Sequence, residues 1–220
     1  MELRLLSVNV ALPRVIGQVD GREVLSGIAK RPLDQQSVFV AATNISGDGQ
    51  ADLTVHGGVD KAVYAYPADH WPWWEREKML PSRPATFGEN LTVEGADETV
   101  VAIGDRFRWG GALLEISQPR APCFKFAIHT ARPDAPQLMT LSGRCGWYYR
   151  VIAEGRAPVV GASVTRVFAS GGPSVREAFL AIFGRNMGTD RLRRVEAAEG
   201  LAESWRNPVS KRLVKGSESD

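Results

Sequence analysis

Short β-like segments separated by glycine and aspartate turns fill the middle of this sequence. The segments are 100–103, 106–109 and 112–117, and the turns between them are Gly104-Asp105 and Gly110-Gly111. Short strands at this spacing predict a barrel or a sandwich. A hairpin loop is predicted at 17–21, helices at 68–78 and 136–142, and further strands at 3–10, 36–41, 63–67, 91–93, 146–152 and 157–168.

The pattern changes to a helical one after Gly171-Gly172-Pro173. Ser174 and Glu177 have the spacing of a capping box, which marks a helix start. Three apolar stripes of helical period follow, and the third is expected to break at Asn207-Pro208 because proline removes a helix hydrogen bond. The predicted architecture is therefore mostly β with α: a β domain, either barrel or sandwich, over 1–170, a three-helix subdomain over 171–214 and a flexible tail over 215–220.

Composition excludes several classes of partner and cofactor. A formal net charge of +2 in 220 residues is too weak to indicate a nucleic-acid surface. The N-terminus lacks the layout of a signal peptide and no apolar run reaches membrane-spanning length, so we expect a cytoplasmic protein without a membrane partner. Two cysteines cannot provide a disulfide framework, a zinc ribbon or an iron–sulfur set.

The strongest candidate for chemistry is Cys123. It follows a strand and a turn stiffened by two prolines, and it stands between Arg120 and Lys125. Neighbouring cations favour the thiolate, which is the form that attacks electrophiles and binds soft metals. The alternative is a buried packing thiol, which is common for a lone cysteine. Cys145 has one basic neighbour and no proline turn, so we interpret it as a packing or surface thiol.

Three other polar turns are candidate binding loops, each with a plainer alternative. Lys30 follows a glycine that allows close approach of a ligand to the backbone. The plainer alternative is a solvated basic loop. The turn His56-Gly57-Gly58, with Lys61 close behind, predicts an anion-binding nest or an ordinary hairpin turn. The turn Gly88-Glu89-Asn90 directs polar groups into a pocket or is a turn whose asparagine bonds to backbone.

Taken together and in order, these motifs resemble the MOSC family, named for the C-terminal domain of molybdenum-cofactor sulfurases, and within it the YiiM-like branch. The resemblance covers nearly the whole chain, from about Ser26 to Leu213. It rests on Ser26-Gly27-Ile28-Ala29-Lys30, Gly47-Asp48-Gly49-Gln50-Ala51-Asp52, His56-Gly57-Gly58, Asp60-Lys61-Ala62, Tyr64-Ala65-Tyr66-Pro67, Phe87-Gly88-Glu89-Asn90-Leu91, Gly104-Asp105, Gln118-Pro119-Arg120, Pro122-Cys123 and Gly146-Trp147.

The resemblance implies a MOSC-type barrel that binds the molybdenum cofactor, a molybdenum pyranopterin. Cys123 is then the protein ligand to the metal, or alternatively the site of a carried persulfide. Glu89 is expected to relay a proton, and His56 and Asn90 to donate hydrogen bonds to pterin or metal-oxo oxygens. The remaining expected cofactor-binding residues are Lys30, Gln50, Gly57, Gly58, Lys61, Gly88, Arg120 and Lys125.

The activity that the resemblance implies is reduction of small N-hydroxylated compounds such as 6-N-hydroxylaminopurine, with electrons from a separate reductase. Two alternatives stay open from the residues. One is a cofactor-binding or sulfur-carrier protein that uses a Cys123 persulfide. The other is a cysteine hydrolase that pairs Cys123 with His56 or His129.

Overall fold

Seven strands close into a β-barrel in the computed structural model, which describes residues 1–51, 57–78 and 80–217. Around the barrel the strand order is β12-β8-β9-β10-β6-β7-β1, and β12 pairs back onto β1. All the barrel pairs are antiparallel except β6 with β7. The barrel strands are β1 (Glu2–Val10), β6 (Val63–Pro67), β7 (Leu91–Glu94), β8 (Arg106–Trp109), β9 (Ala112–Pro119), β10 (Trp147–Ala153) and β12 (Ser163–Phe168).

Side-chain alternation marks the core-facing side of a barrel strand most clearly in β8. In β8, Arg106 and Arg108 are exposed while Phe107 and Trp109 are buried, as expected for a strand with one wet face. The closed ring of seven strands confirms the predicted barrel. The other strands lie outside the ring: β4 (Arg31–Pro32) pairs with β1, and the two-stranded sheets join β2 (Arg14–Val19) to β3 (Arg22–Ser26) and β5 (Ser37–Val40) to β11 (Gly155–Pro158).

Within the described residues, three α-helices follow the last barrel strand and three others connect earlier strands. Ser174 caps the first of the C-terminal helices, and its reciprocal bonds with Glu177 form the predicted capping box. Buried residues of these helices belong to the same hydrophobic cluster as the barrel core. The helices are α1 (Trp71–Lys78), α2 (Phe124–Thr130), α3 (Ala135–Ser142), α4 (Val175–Phe183), α5 (Thr189–Glu196) and α6 (Glu203–Ser217).

The prediction of a strand at 100–103 was wrong. The amides of Val100 and Val101 donate to the Asp97 carbonyl, and the Ala102 amide donates to the Asp105 carboxylate. These local bonds occupy the donors that a strand would use. Val101 is nevertheless fully buried, so its apolar side chain contributes to the core from a turn.

Three further boundaries differ from the prediction. The loop predicted at 17–21 is only Asp20-Gly21, whose positive φ angles of 50° and 76° fit a two-residue hairpin turn. The region 157–168 is two strands, because β11 pairs with β5 and β12 with the barrel. Helix α6 continues through Pro208, anchored by buried Trp205 and Val209.

Helix α6 also extends to Ser217, three residues into the segment predicted as a tail. The mobility of that tail stays a prediction, and residues 218–220 lie outside the described part of the chain. Among the described helices, none has the length and apolar character needed to cross a membrane.

Candidate functional site

A cavity of about 100 Å³ lies where loops meet the ends of four barrel strands. Arg120 follows β9, Asn90 precedes β7, and Tyr64 and Tyr148 are the second residues of β6 and β10. We call the residues around this cavity the cavity wall. They are Ser26, Gly27, Ile28, Lys30, Asp48, Gly49, Gln50, Ala51, Lys61, Tyr64, Gly88, Asn90, Arg120, Ala121, Cys123, Lys125 and Tyr148.

Cys123 is partly exposed at this wall. Its backbone is extended, with φ −139° and ψ 163°, and α2 begins at the next residue. The Cys123 carbonyl accepts a hydrogen bond from the Phe126 amide at 3.0 Å, which turns the chain from β9 into the helix. The thiol is therefore held at a fixed strand-to-helix corner and faces open space.

Arg120 provides the wall with a buried positive charge. Its side chain is 5% exposed, and Nη1 donates to the Phe87 carbonyl at 2.8 Å and to the Tyr64 hydroxyl at 3.3 Å. The guanidinium also lies over the rings of Tyr64 and Phe126, at 4.9 and 5.1 Å from their centroids. Among the described residues, no carboxylate pairs with Arg120.

A buried cation that has no carboxylate partner among the described residues favours an anionic ligand at the wall. A buried cation is costly unless a counter-charge or hydrogen bonds compensate it. Burial acts to lower the pKa of Arg120, but Tyr64, Tyr148 and Cys123 outweigh it and raise that pKa. An anion beside the guanidinium would supply the missing counter-charge.

Lys30 is already paired within the wall. Its ammonium contacts Asp48 Oδ1, which also accepts the Ala11 amide at 2.9 Å. Asp48 Oδ2 accepts from Asn90 Nδ2 at 2.8 Å. Burial lowers the pKa of Lys30, although Asp48 opposes that effect. The Lys30 charge is therefore largely neutralised, and its role as an anion contact stays a prediction.

Glycines allow the loops of the wall to approach each other closely. A Cβ on Gly27 would lie 2.2 Å from the Gly49 carbonyl oxygen, so these two loops meet through bare backbone. Gly88 has φ +75°, and a Cβ there would lie 2.4 Å from Ile28 Cγ1. The cavity depends on glycine at both contacts.

The predicted site residues divide into three groups by their placement. The cavity wall brings together Lys30, Gln50, Lys61, Gly88, Asn90, Arg120, Cys123 and Lys125. Gly57 and Gly58 are described but are not among the lining residues, and His56 lies outside the described residues. Glu89 is completely buried and does not line the cavity, although both of its neighbours do.

Hydrogen bonds explain the position of Glu89. Its carboxylate accepts from the Ala85 and Phe87 amides and from the Thr92 hydroxyl, and its side chain does not line the cavity. The predicted proton relay through Glu89 therefore has no contact with the cavity. Asn90 does line it, but its amide already bonds to Asp48, the Asn9 carbonyl and the Tyr64 amide.

Sequence reasoning missed Asp48, Tyr64 and Tyr148 as wall residues. Asp48 and Tyr64 stood inside motifs that had been recognised, but nothing in their spacing showed that they face one cavity. The rings of Tyr64 and Tyr148 lie 5.1 Å apart and tilted by 35° on adjacent strands. Their pairing depends on the register of β6 with β10, which one sequence does not reveal.

Histidine and metal-ligand clusters are absent from the described part of the wall. His70 pairs with Glu98 and His129 does not line the cavity, so the described residues offer Cys123 no histidine base. Nor do they contain a group of three or more His, Cys, Asp or Glu side chains able to hold a metal ion. If only the described residues take part, a metal at Cys123 would need its other ligands from a bound cofactor.

Comparisons with known proteins cover nearly the whole chain. Residues 52–165 match the MOSC domain model. The chain is 39% identical to the uncharacterized protein YflK of Bacillus subtilis, over 94% of this chain and 93% of that protein. It is 38% identical to protein YiiM of Escherichia coli, over 89% of this chain and 88% of that protein.

Two further matches concern the fold and a more distant relative. The crystal structure of YiiM from Geobacillus stearothermophilus superposes with a TM-score of 0.79 at 31% identity, over 96% of this chain and 99% of that one. A protein named Reductase from Gibberella moniliformis is 38% identical over 61% of this chain, but the match spans only 24% of that protein. Sequence match and fold agree, and the chain belongs to the MOSC domain family, as a relative of YiiM over almost its full length.

Proposed function

We propose that the cavity binds the molybdenum cofactor, with Cys123 as the protein ligand to the metal, and that the protein reduces N-hydroxylated compounds such as 6-N-hydroxylaminopurine. One observation carries the proposal: a partly exposed thiol and a buried cation with no carboxylate partner among the described residues share one cavity wall. A thiolate ligand and an anionic cofactor together match that pair of features.

The chemistry of the donor set fits this cofactor. The wall offers one thiol, whereas protein-only metal sites need three or four ligands. A dithiolene supplies the missing sulfur ligands, and the cofactor's phosphate supplies an anion for Arg120 and Lys125. Family membership supports the same assignment, because MOSC domains take their name from molybdenum-cofactor sulfurases.

The proposed reaction needs two electrons and two protons. The N–O bond of the substrate breaks, an N–H bond forms, and the oxygen leaves as water. When bound, the cofactor supplies the two-electron redox capacity that no side chain of this chain offers. The electrons come from a second protein, a reductase, which stays part of the proposal. The fungal relative named Reductase supports an oxidoreductase activity in this group of sequences.

The residues of the wall then have separate tasks. Cys123 binds the metal, and Arg120 holds the anionic end of the cofactor through its guanidinium. Lys61 lines the cavity with a pKa lowered by burial, which favours release of a proton from its ammonium group to the departing oxygen, while Lys30 holds Asp48 in the wall. The partly exposed ring of Tyr148 offers a flat surface for a pterin or purine ring.

The test compares two thiols in one chain. Protein expressed with molybdate is assayed for molybdenum and pterin, and then for adenine formed from 6-N-hydroxylaminopurine with a chemical electron donor. We expect near-stoichiometric molybdenum in the wild type and in Cys145→Ala, and none in Cys123→Ala. Loaded wild-type protein that forms no adenine would contradict the reductase. A mass increase of one sulfur atom on Cys123, without molybdenum, would favour the sulfur carrier instead.

A further inference from the structure

Glu89 is fully buried behind the cavity wall and bonds to the turn that precedes it. Its Oε1 accepts the Ala85 amide at 2.8 Å and the Thr92 hydroxyl at 2.7 Å, and its Oε2 accepts the Phe87 amide at 3.0 Å. Ala85 has a positive φ of 69° and Gly88 one of 75°, so the turn takes an unfavourable backbone path at Ala85. The carboxylate stabilises that path by accepting both amides.

The same turn delivers a carbonyl group to Arg120. The Phe87 amide donates to Glu89, and the Phe87 carbonyl accepts from Arg120 Nη1 at 2.8 Å. The Phe87 ring is fixed as well, because it stacks on Tyr66 at 3.8 Å between centroids. A continuous set of hydrogen bonds therefore joins the Glu89 carboxylate to the guanidinium at the cavity.

We propose that Glu89 is a positioning residue, which holds the Phe87 carbonyl where it orients the Arg120 guanidinium toward a tetrahedral or phosphate-like anion bound near Cys123. The proposal rests on the proposed function only in taking the cofactor phosphate as the natural anion. The orientation of Arg120 can be measured without the cofactor, by binding a simple tetrahedral anion to the apoprotein. Glu89 thus acts through Phe87 and Arg120 and does not itself touch the ligand.

The electrostatic surroundings of Glu89 agree with this role. Burial raises its pKa from 4.5 to about 7, although the hydrogen bonds from Thr92, Ala85 and Phe87 oppose the increase. The titratable groups that interact with it electrostatically are Lys30, Tyr64 and Tyr66. Burial lowers the pKa of Lys30 and raises the pKa of both tyrosines, so neither tyrosine ionises near neutral pH.

The test measures sulfate binding to the apoprotein by calorimetry at low ionic strength. Sulfate keeps its charge throughout the neutral range, so any pH effect comes from the protein. In Glu89→Gln the amide nitrogen cannot accept a backbone amide, and we expect sulfate to bind about tenfold more weakly. Thr92→Val is the matched control, because it removes one bond to the same carboxylate and leaves both backbone bonds. We expect its sulfate affinity to equal that of the wild type at a pH well above 7, where Glu89 is ionised in both proteins.

A double mutant separates positioning from a general structural effect. Arg120→Met is expected to abolish most sulfate binding, and adding Glu89→Gln to it is expected to change nothing further. Unchanged sulfate affinity in folded Glu89→Gln would overturn the proposal. So would an equal loss of sulfate affinity when Glu89→Gln is added to the wild type and to Arg120→Met. Wild-type protein that binds no sulfate would overturn it as well. Missing molybdenum in the wild type contradicts the proposed function alone and leaves these results standing.

The wild type gives a second measurement that needs no variant. A protonated Glu89 accepts one bond fewer, so sulfate affinity is expected to fall as pH decreases through about 7. His129, whose pKa burial lowers, lies near Arg120 and acts in the opposite direction, because its protonation adds positive charge. A rise in affinity through this range, identical in wild type and Glu89→Gln, would contradict the positioning role.

Discussion

Cys123 is partly exposed beside Arg120 at the cavity wall, whereas Cys145 is fully buried under β10. Burial raises the pKa of the Cys145 thiol well above its usual value, and its Sγ contacts the Gly146 carbonyl at 3.3 Å. Of the two predicted alternatives for Cys145, a packing or a surface thiol, its burial selects the packing thiol. Two cysteines in one fold thus have different chemistry because one faces a cation and open space, and the other faces a closed polar cluster.

Next to Cys145, the Glu98 carboxylate, the Gly146 amide and the Cys145 carbonyl all have hydrogen-bond partners within the protein. Glu98 accepts the Gly146 amide at 2.6 Å and pairs with His70 at 2.7 Å, and the Tyr64 hydroxyl donates to the Cys145 carbonyl at 2.8 Å. We call His70, Glu98, Cys145 and Gly146 the sealed cluster. Its hydrogen bonds end within the protein, so it stabilises the fold. The cavity wall leaves a charge without a carboxylate partner among the described residues, which suits it to binding.

The largest expected difference between the two regions is in alkylation rate. We expect iodoacetamide to modify Cys123 in the native protein, while Cys145 reacts only through opening of the fold and therefore at least about a thousandfold more slowly. Peptide mass spectrometry over a time course gives both rates from one sample. Comparable rates for the two thiols would remove the distinction, and a denatured sample is the control for intrinsic reactivity.

The next effect is on the free energy of unfolding. Here a substitution in the sealed cluster is expected to matter more than one in the cavity wall. His70→Ala leaves the buried Glu98 carboxylate without its partner and creates a cavity, so we expect a loss of about 4 kcal/mol in the free energy of unfolding. Arg120→Met removes a buried charge, its bonds to the Phe87 carbonyl and the Tyr64 hydroxyl, and its contacts with two aromatic rings. Because the substitution breaks no ion pair among the described residues, we expect a smaller loss than for His70→Ala, below about 2 kcal/mol.

Chemical denaturation and sulfate binding measured on both variants complete this comparison. We expect His70→Ala to keep sulfate binding and Arg120→Met to lose it. A large destabilisation by Arg120→Met, with binding intact, would show that Arg120 serves the fold and not the cavity.

The β domain was predictable from the sequence because most of its strands carry their signal locally, whereas the choice of a barrel over a sandwich came from the family resemblance. Alternating residues such as those of Arg106–Trp109 and glycine turns mark strands directly. The failures at 100–103 and Pro208 have one cause, which is that tertiary or side-chain bonds overrode local propensity. Val101 is apolar and β-branched, which is typical of a strand, and the sequence does not show that it is buried in a turn.

The site was predictable in part for a similar reason. Motif order identified Cys123, Arg120 and Lys30, because these residues stand in recognisable turns. It could not show that Lys30 pairs with Asp48, a contact between residues 18 positions apart in two loops. Nor could it show which way Glu89 points. The pairing of charges, which distinguishes Arg120 from Lys30, is a property of the folded loops alone.

The smallest expected effect is the pH dependence of stability due to Glu89. Its pKa rises from 4.5 to about 7 on folding, so the folded state binds the extra proton between these values. Stability from this group is fully present below pH 4.5 and is lost as pH rises to about 7. The loss amounts to about 3 kcal/mol for a shift of this size.

Glu89→Gln isolates that contribution, because glutamine does not titrate. The free energy of unfolding of wild type minus that of the variant is expected to decrease across this pH range, measured by denaturant titrations at several pH values. Cys145→Ala, in the sealed cluster, is the control and is expected to keep the wild-type slope. A difference that stays constant with pH would mean that Glu89 remains ionised and tightly bonded in the fold. The ionised Glu89 carboxylate would then hold the turn beside the cavity wall throughout this pH range, and Arg120 would keep its orientation at every pH in it.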